Sequence, residues 1–421
     1  MNQLIVLGNG FDIHCGLKSR YSDFFLDRFK TLFCKDKDNA QSIEELKDDL
    51  DEKRCKTLSF ISNIRSHLNF SSNDNNDCDY FKRYKEERSS RKNNITRWDL
   101  FFLFADACVD KSVNQYEWQD VESLIFDVIS IALNAKSTYK MHYVKNVQVG
   151  PYEDEGIKLF SKIVYYLSFT GHNTDREIAA ELLRELKKFE HSFAKYITNQ
   201  IDLSQTRSGY VNNAIELYKR ISKYNQSNRY SESDKVDVLS FNYSLDDEFK
   251  DILDRETDDN RLKTWSNIHG IAHHEETPYY PAPIFGIDSH GIFSQNGQSD
   301  LRISFTKAYR VIENEINDMR SSSGYAGEDL ITIYCHSLGP ADYSYFEAIF
   351  DENNLYYSDC KIEYYYYPGN SEQEKLIKRE EAITHLYNLL TNYGNSLSET
   401  HGDNIVNKLN LENRLSVIPS E

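Results

Sequence analysis

The sequence predicts an α/β protein: a Rossmann-like, mainly parallel sheet carrying a large helical insertion. Three observations predict it. Residues 4–7 form a short aliphatic run that stops at Gly8-Asn9-Gly10 and is followed by apolar residues at helical spacing. From about residue 230 onward, strand-like and helix-like segments alternate. Between these two parts, residues 35–229 read as mainly helical.

After the glycine stop, Phe11, Ile13, Leu17, Tyr21, Phe24 and Phe25 recur at roughly helical spacing, with Gly16 as a break. Strand, glycine turn and helix together bring backbone N–H groups up to a phosphate. Glycine is expected there because a side chain would hold a ligand away from the main chain. Gly8 and Gly10 match the first two glycines of the dinucleotide fingerprint, while Gly16 lies too far on for the third.

A chain of 421 residues calls for two domains or one domain with a large insertion. The division expected is residues 1–34 with 230–395 as the Rossmann-like domain, 35–229 as the insertion and 396–421 as a tail. Only 39% of residues are hydrophobic, but 30 Tyr and 23 Phe supply large buriable surfaces. The formal charge of −18 repels phosphate backbones at long range, which disfavours broad nucleic-acid binding. Seven scattered cysteines without a C-x-x-C pair argue against a disulfide framework and a cysteine zinc site. The first apolar run is too short for a signal peptide, and no stretch reaches membrane-spanning length. A cytoplasmic protein with no membrane partner is expected.

Within the insertion, residues 35–56 are strongly charged, with Leu46, Leu50, Leu58 and Ile61 as inward candidates. Residues 69–79 read as a polar surface loop. Lys82, Arg83, Lys85, Arg88, Arg91, Lys92 and Arg97 form a basic patch interleaved with Tyr80, Phe81 and Tyr84. That makes residues 82–97 the one local candidate for nucleic acid, although Glu86 and Glu87 favour a solvated face. Residues 100–109 predict a buried helix, and a second starts near Trp118. Residues 181–196 give the clearest helix, with Glu190 and His191 read as surface positions.

In the second half, residues 236–241 predict a strand ending at Asn242-Tyr243, then an acidic helix start at Asp246, Asp247 and Glu248. Residues 267–270 follow a short strand, and residues 281–288 read as an extended loop. Residues 304–307 precede a helix through Tyr309, Ile312 and Ile316. The run 330–334 is a strong strand leading into Cys335-His336-Ser337-Leu338-Gly339-Pro340-Ala341-Asp342. A helix, the strand 361–367 and a last helix at 373–392 complete the pattern. In such sheets ligands bind beyond the carboxyl ends of the strands, where Asn9, Asn242, His269 and Ser337 are expected.

As an ordered set, GNGFD…GL, SFNY, IHG, PIFGID, SFTK and HSLGPAD resemble the bacterial abortive-infection family AbiH. The helical middle is similar too, with Trp118 and Glu122 in a W-x-D-x-E pattern and Phe189-Glu190 later. The resemblance implies defence against bacteriophage, with an unknown phage trigger. The order of the glycine turn, SFNY, IHG and HSLG-x-x-D also resembles the nucleotide motifs of sirtuin-like domains. That likeness implies NAD or a related nucleotide as substrate or ligand. It puts Gly8, Asn9, Gly10 and Phe11 at the pyrophosphate or ribose, with Ser240, Ser337, Leu338 and Asp342 in the same site. Asn242 would meet the nicotinamide ribose, His269 would be the base, and Asp12 joins them as a catalytic candidate. Hydrolysis of an N-glycosidic bond needs a polarised ribose hydroxyl and a held water, which a histidine beside an asparagine can supply. Two departures stand out: Asp12 occupies a small-hydroxyl position, and Ser244 an aspartate position. The zinc cysteines of deacetylating sirtuins have no counterpart.

Simpler roles compete for the same residues. His269 would only hydrogen-bond a turn, Asn242 would cap the next helix, and Asp12 would balance a helix dipole. His269, His273, His274 and Glu276 match no familiar zinc spacing, so no metal is predicted. A rival chemistry starts from Cys335-His336-Ser337-Leu338-Gly339, which resembles the nucleophile elbow of serine esterases and lipases. Asp342, Asp351 or Asp359, then His385 or His401, would keep the order Ser, Asp, His. Cys335 replacing the first glycine, and Pro340 close behind, count against it. The third class is a non-catalytic nucleotide-binding sensor of phage, and a homo-oligomer is compatible with all three.

Overall fold

The computed structural model describes residues 1–33, 95–108, 118–134, 160–161, 164, 167–168, 174–203, 207–223, 234–257, 260–273, 282–289, 292, 300–316, 324–397 and 402–420. The charged stretch 35–56, the loop 69–79, most of the basic patch, His274, Glu276 and His401 lie outside them.

Six strands form one parallel sheet: β1 (Asn2–Leu7), β2 (Lys235–Ser240), β3 (Leu262–Asn267), β4 (Leu330–Tyr334), β5 (Lys361–Tyr366) and β6 (Leu415–Pro419). Their spatial order is β3-β2-β1-β4-β5-β6. This is the doubly wound order, in which the direction of winding reverses between β1 and β4 and opens a crevice there. Both faces of the sheet are covered, so its central strands are buried almost throughout and mostly apolar, with Gln3, Asp237, Ser240 and Thr332 as buried polar exceptions. Leu4 and Val6 pack on one face with Phe346, Phe350, Leu386 and Leu390. Ile5 and Leu7 pack on the other with Tyr210, Ala214, Phe249 and Leu253. The expected α/β class and its mainly parallel sheet are therefore present.

The chain divides into two compact units, Met1–Arg20 with His191–Gly291 and Thr306–Glu421, and Tyr21–Glu190 with Ile292–Phe305. The first unit holds the whole sheet. Residues 396–421, expected to be a tail, contribute the helix Ile405–Leu411 and then β6, which pairs with β5 from Ile362↔Leu415 to Tyr366↔Pro419. β6 is half-exposed and short, so it carries no apolar run to announce it.

The second unit is helical where described. Its helices Tyr21–Phe33, Arg97–Cys108 and Trp118–Asn134 are joined by the first part of Asp175–Leu203. Phe189 lies 5.4 Å from Phe24 and 5.3 Å from Phe102, ring centre to ring centre. Arg97, counted with the basic patch, is fully buried and pairs with Glu181 at 2.9 Å and Glu185 at 3.5 Å. It is a core cation, not a surface one. Glu190 is buried as well, correcting its reading as a surface residue. It stands four residues after Leu186 on the packed stripe, a spacing that could have revealed it.

Candidate functional site

The strand register builds the site. Leu7 is level with Ser240 on one side and Tyr334 on the other, and Ser240 is level with Asn267. The residues that follow, Gly8, Asn242, His269 and His336, are thus delivered to one edge, the carboxyl edge of the sheet in the first unit.

Direct contacts tie them together. Asn242 is buried, and its side-chain N–H donates to the carbonyl of Gly8 at 3.0 Å. Its backbone N–H donates to Ser240 Oγ at 3.1 Å, so Ser240 supports Asn242 from within β2. Asn267 Nδ2 donates to the carbonyls of Asn242 (2.9 Å) and Leu245 (2.8 Å), which fixes the turn after β2. Asn242 is therefore a bolt on the glycine turn, not a cap of the helix Asp247–Thr257. The ring of Phe241 stacks edge-on against His269 (5.4 Å) and His336 (4.4 Å). His269 is buried beside Tyr345 at 5.2 Å, and its carbonyl accepts from Ile284 N–H at 2.9 Å.

Gly8 and Gly10 are needed for a different reason from the one expected. A methyl group on Gly8 would overlap the Cα of His336 and sit 2.6 Å from the carbonyl oxygen of Cys335. One on Gly10 would overlap the Cβ of Cys335. The loop after β4 approaches these glycines closely and by itself requires them to lack a side chain. Gly8 N–H donates to the Tyr334 carbonyl (3.0 Å), Gly10 N–H to Cys335 (3.2 Å) and Phe11 N–H to Gly8 (2.9 Å). Asn9 is likewise engaged, accepting from the Ser19 hydroxyl at 2.6 Å and donating to the Ser19 carbonyl at 3.3 Å.

Asp12 lies one turn further, buried under two hydroxyls. Ser244 donates to Oδ2 at 2.6 Å and Tyr210 to Oδ1 at 2.7 Å. Burial raises its carboxyl to about 6, partly offset by those two hydrogen bonds. Tyr210 belongs to the helix Arg207–Ile221, inside the stretch expected to be insertion, and no local pattern singles it out.

A second buried set stands at the loop after β4. Lys307 Nζ pairs with Asp342 Oδ1 at 2.6 Å, and His336 Nε2 faces Asp342 Oδ2 at 3.5 Å. Leu338 N–H donates to His336 Nδ1 at 2.9 Å, which leaves the imidazole proton on Nε2 toward the carboxylate. Burial pushes His336 down to about 4 against the pull of Asp342, so it is neutral. Burial would raise Asp342, but Lys307, His336 and His269 hold it below the ordinary carboxylate range. Neither Lys307 nor His336 was singled out from sequence, although both lie inside quoted motifs.

Ser337 is exposed, and the left-handed backbone of this loop falls on Cys335 (φ 47°) and Leu338 (φ 52°), either side of it. A nucleophile elbow places that strain on the serine itself. His336, the nearest histidine in sequence, is engaged with Leu338 and Asp342 instead. Among the described residues no group of His, Cys, Asp and Glu is arranged to hold a metal ion, and no helix is long and apolar enough to cross a membrane.

A doubly wound parallel sheet with buried acid, amide and imidazole groups at its carboxyl edge defines a Rossmann-like protein. The sequence profile of the family described as Bacteriophage abortive infection AbiH matches residues 4–366. The chain belongs to that family, and with it to abortive-infection defence against bacteriophage. Searches of curated proteins and of solved structures return no match.

Proposed function

We propose that this chain acts in phage defence by binding an adenine or pyridine nucleotide, NAD before others, at the carboxyl edge of its sheet and hydrolysing it. In the reaction, water adds its oxygen to the ribose carbon while the bond to nicotinamide breaks, giving nicotinamide, ADP-ribose and a proton. The observation that carries the reading is the position of Asn242. Its N–H is fixed on Gly8, and its amide oxygen accepts no hydrogen bond among the described residues, leaving it for a ribose hydroxyl. Asn242 would orient the ribose, and His269 would hold the water and take its proton.

The Asp12–Ser244 hydrogen bond supports the reading from another direction. The two departures from the sirtuin-like pattern fall on residues that touch, hydroxyl to carboxylate. The exposed, unaligned Ser337 supports the esterase alternative poorly.

The test follows cellular NAD during infection, with the natural chain, Asn242→Ala and His269→Ala. Loss of NAD with the natural chain alone is the expected result. Steady NAD alongside intact protection ends the enzymatic reading and leaves a nucleotide sensor.

A further inference from the structure

We infer that the crevice selects its ligand by hydroxyl donors on a ribose, not by phosphate, so that an unphosphorylated nucleoside meets the same site. The inference rests on the nucleotide reading and sharpens it. A phosphate cradle at a glycine turn needs backbone N–H groups pointing at the anion. Here the N–H groups of Gly8, Gly10 and Phe11 already donate to the carbonyls of Tyr334, Cys335 and Gly8, and the single N–H of Asn9 that is left among the described residues makes no cradle. The helix after the turn, Gly10–His14, is a single turn and adds no further anion site. The face of Gly8 that a phosphate oxygen would approach is covered by His336 and Cys335.

Positive charge is matched too. The ammonium of Lys307 is buried against Asp342, and His336 is neutral. The chain as a whole carries −18, a field that opposes a pyrophosphate.

Acceptors are what this edge offers. Asn242 is 4% exposed, and with Nδ2 committed to the Gly8 carbonyl its Oδ1 is left to receive a donor. Asp12 has both carboxylate oxygens already accepting, from Ser244 and Tyr210, so the acceptor on offer is the Asn242 amide oxygen. A vicinal diol supplies O–H donors of the matching kind, whereas a phosphate at neutral pH is an acceptor only.

The experiment measures binding to the purified full-length chain by calorimetry. The probes are NAD, nicotinamide riboside, adenosine, ADP and inorganic pyrophosphate, each at low and high salt. A nucleoside is expected to bind within about threefold of NAD, with little change on adding salt, because no phosphate contact is screened. Pyrophosphate should not compete. Asn242→Ala should weaken nucleoside and dinucleotide alike by about tenfold, the usual worth of one hydrogen bond. Thermal unfolding of that variant checks that it is folded, and Leu376→Ala, at an exposed position of the helix Glu372–Ser396, serves as a control that binds normally. Tight binding of NAD and ADP with none of the nucleosides, weakening steeply with salt, overturns the inference while the nucleotide reading stands. Binding of no probe at all overturns both.

Discussion

Ser244 and Asp12, 232 residues apart in the chain, share a hydrogen bond of 2.6 Å between hydroxyl and carboxylate. One follows β2 and the other follows the glycine turn of β1. Tyr210 closes the triangle, reaching Asp12 at 2.7 Å and Ser244 at 3.0 Å. If the pair is one unit, exchanging its members should be tolerated better than losing either. Asp12→Ser and Ser244→Asp alone are each expected to destabilise the chain by about 1–3 kcal/mol and to reduce protection. The double variant should recover about half or more of both, read by urea unfolding and by plaque counts. A double variant no better than the worse single one refutes the unit.

The glycines of the first turn should differ sharply in tolerance. Gly8→Ala and Gly10→Ala drive a methyl into the backbone or Cβ of the loop after β4, and little folded protein is expected. Gly16 has φ +93° but nothing near the position of a Cβ, so Gly16→Ala should cost only about 1–2 kcal/mol. Soluble yield and melting temperature across the three variants decide it. Equal behaviour would mean that the approach of Cys335 and His336 to the turn is not what demands glycine.

Stability should fall as pH rises through neutrality, because two buried carboxyls bind their protons more tightly in the folded chain. Burial raises Asp12 from 3.8 to about 6 and Glu328 from 4.5 to about 7. Each therefore contributes stability that is complete below its unfolded value and lost as pH rises through its folded value. Around Glu328 stand Lys235, at 3.3 Å, with Asp237 and Asp329. His336, lowered from 6.5 to about 4, works in the opposite sense: its contribution is lost as pH falls through about 4. Melting curves from about pH 5 to pH 8 should slope less for Glu328→Gln than for the natural chain. Parallel curves would exclude Glu328 as the source.

Arg97 tests the second unit by itself. Its guanidinium is buried against Glu181 and Glu185, so Arg97→Met leaves two carboxylates with less compensation. A loss of about 3–5 kcal/mol is expected in urea. Glu181 is already held down to about 2; although burial opposes this, Arg184 and Arg97 outweigh it. Removing Arg97 should move that carboxyl upward toward its unfolded value, visible as a shallower loss of stability on acidification. An unchanged midpoint would return Arg97 to the status of a surface cation.

Sequence alone determined the class of fold, because strands buried on both faces are predominantly apolar and their crossover helices must be amphipathic. Residues 4–7, 236–241 and 330–334 announce three such strands, and Lys361–Tyr366 alternates enough to announce a fourth. β6 stayed hidden, since an edge strand with half-exposed residues needs no apolar run. The carboxyl-edge residues Asn242 and His269 were legible too, since polar residues directly after buried strands have nowhere else to go. What the sequence could not decide is who touches whom. The pairing of Asp12 with Ser244 and Tyr210, of Lys307 with Asp342, and of Arg97 with Glu181 and Glu185 joins distant segments. Such contacts depend on strand order and register, and nothing local encodes them. The glycine turn is the clearest case. Its spacing suggested glycines kept bare for a phosphate, and only the approach of the loop after β4 revealed that a neighbouring stretch of chain also requires them to be bare.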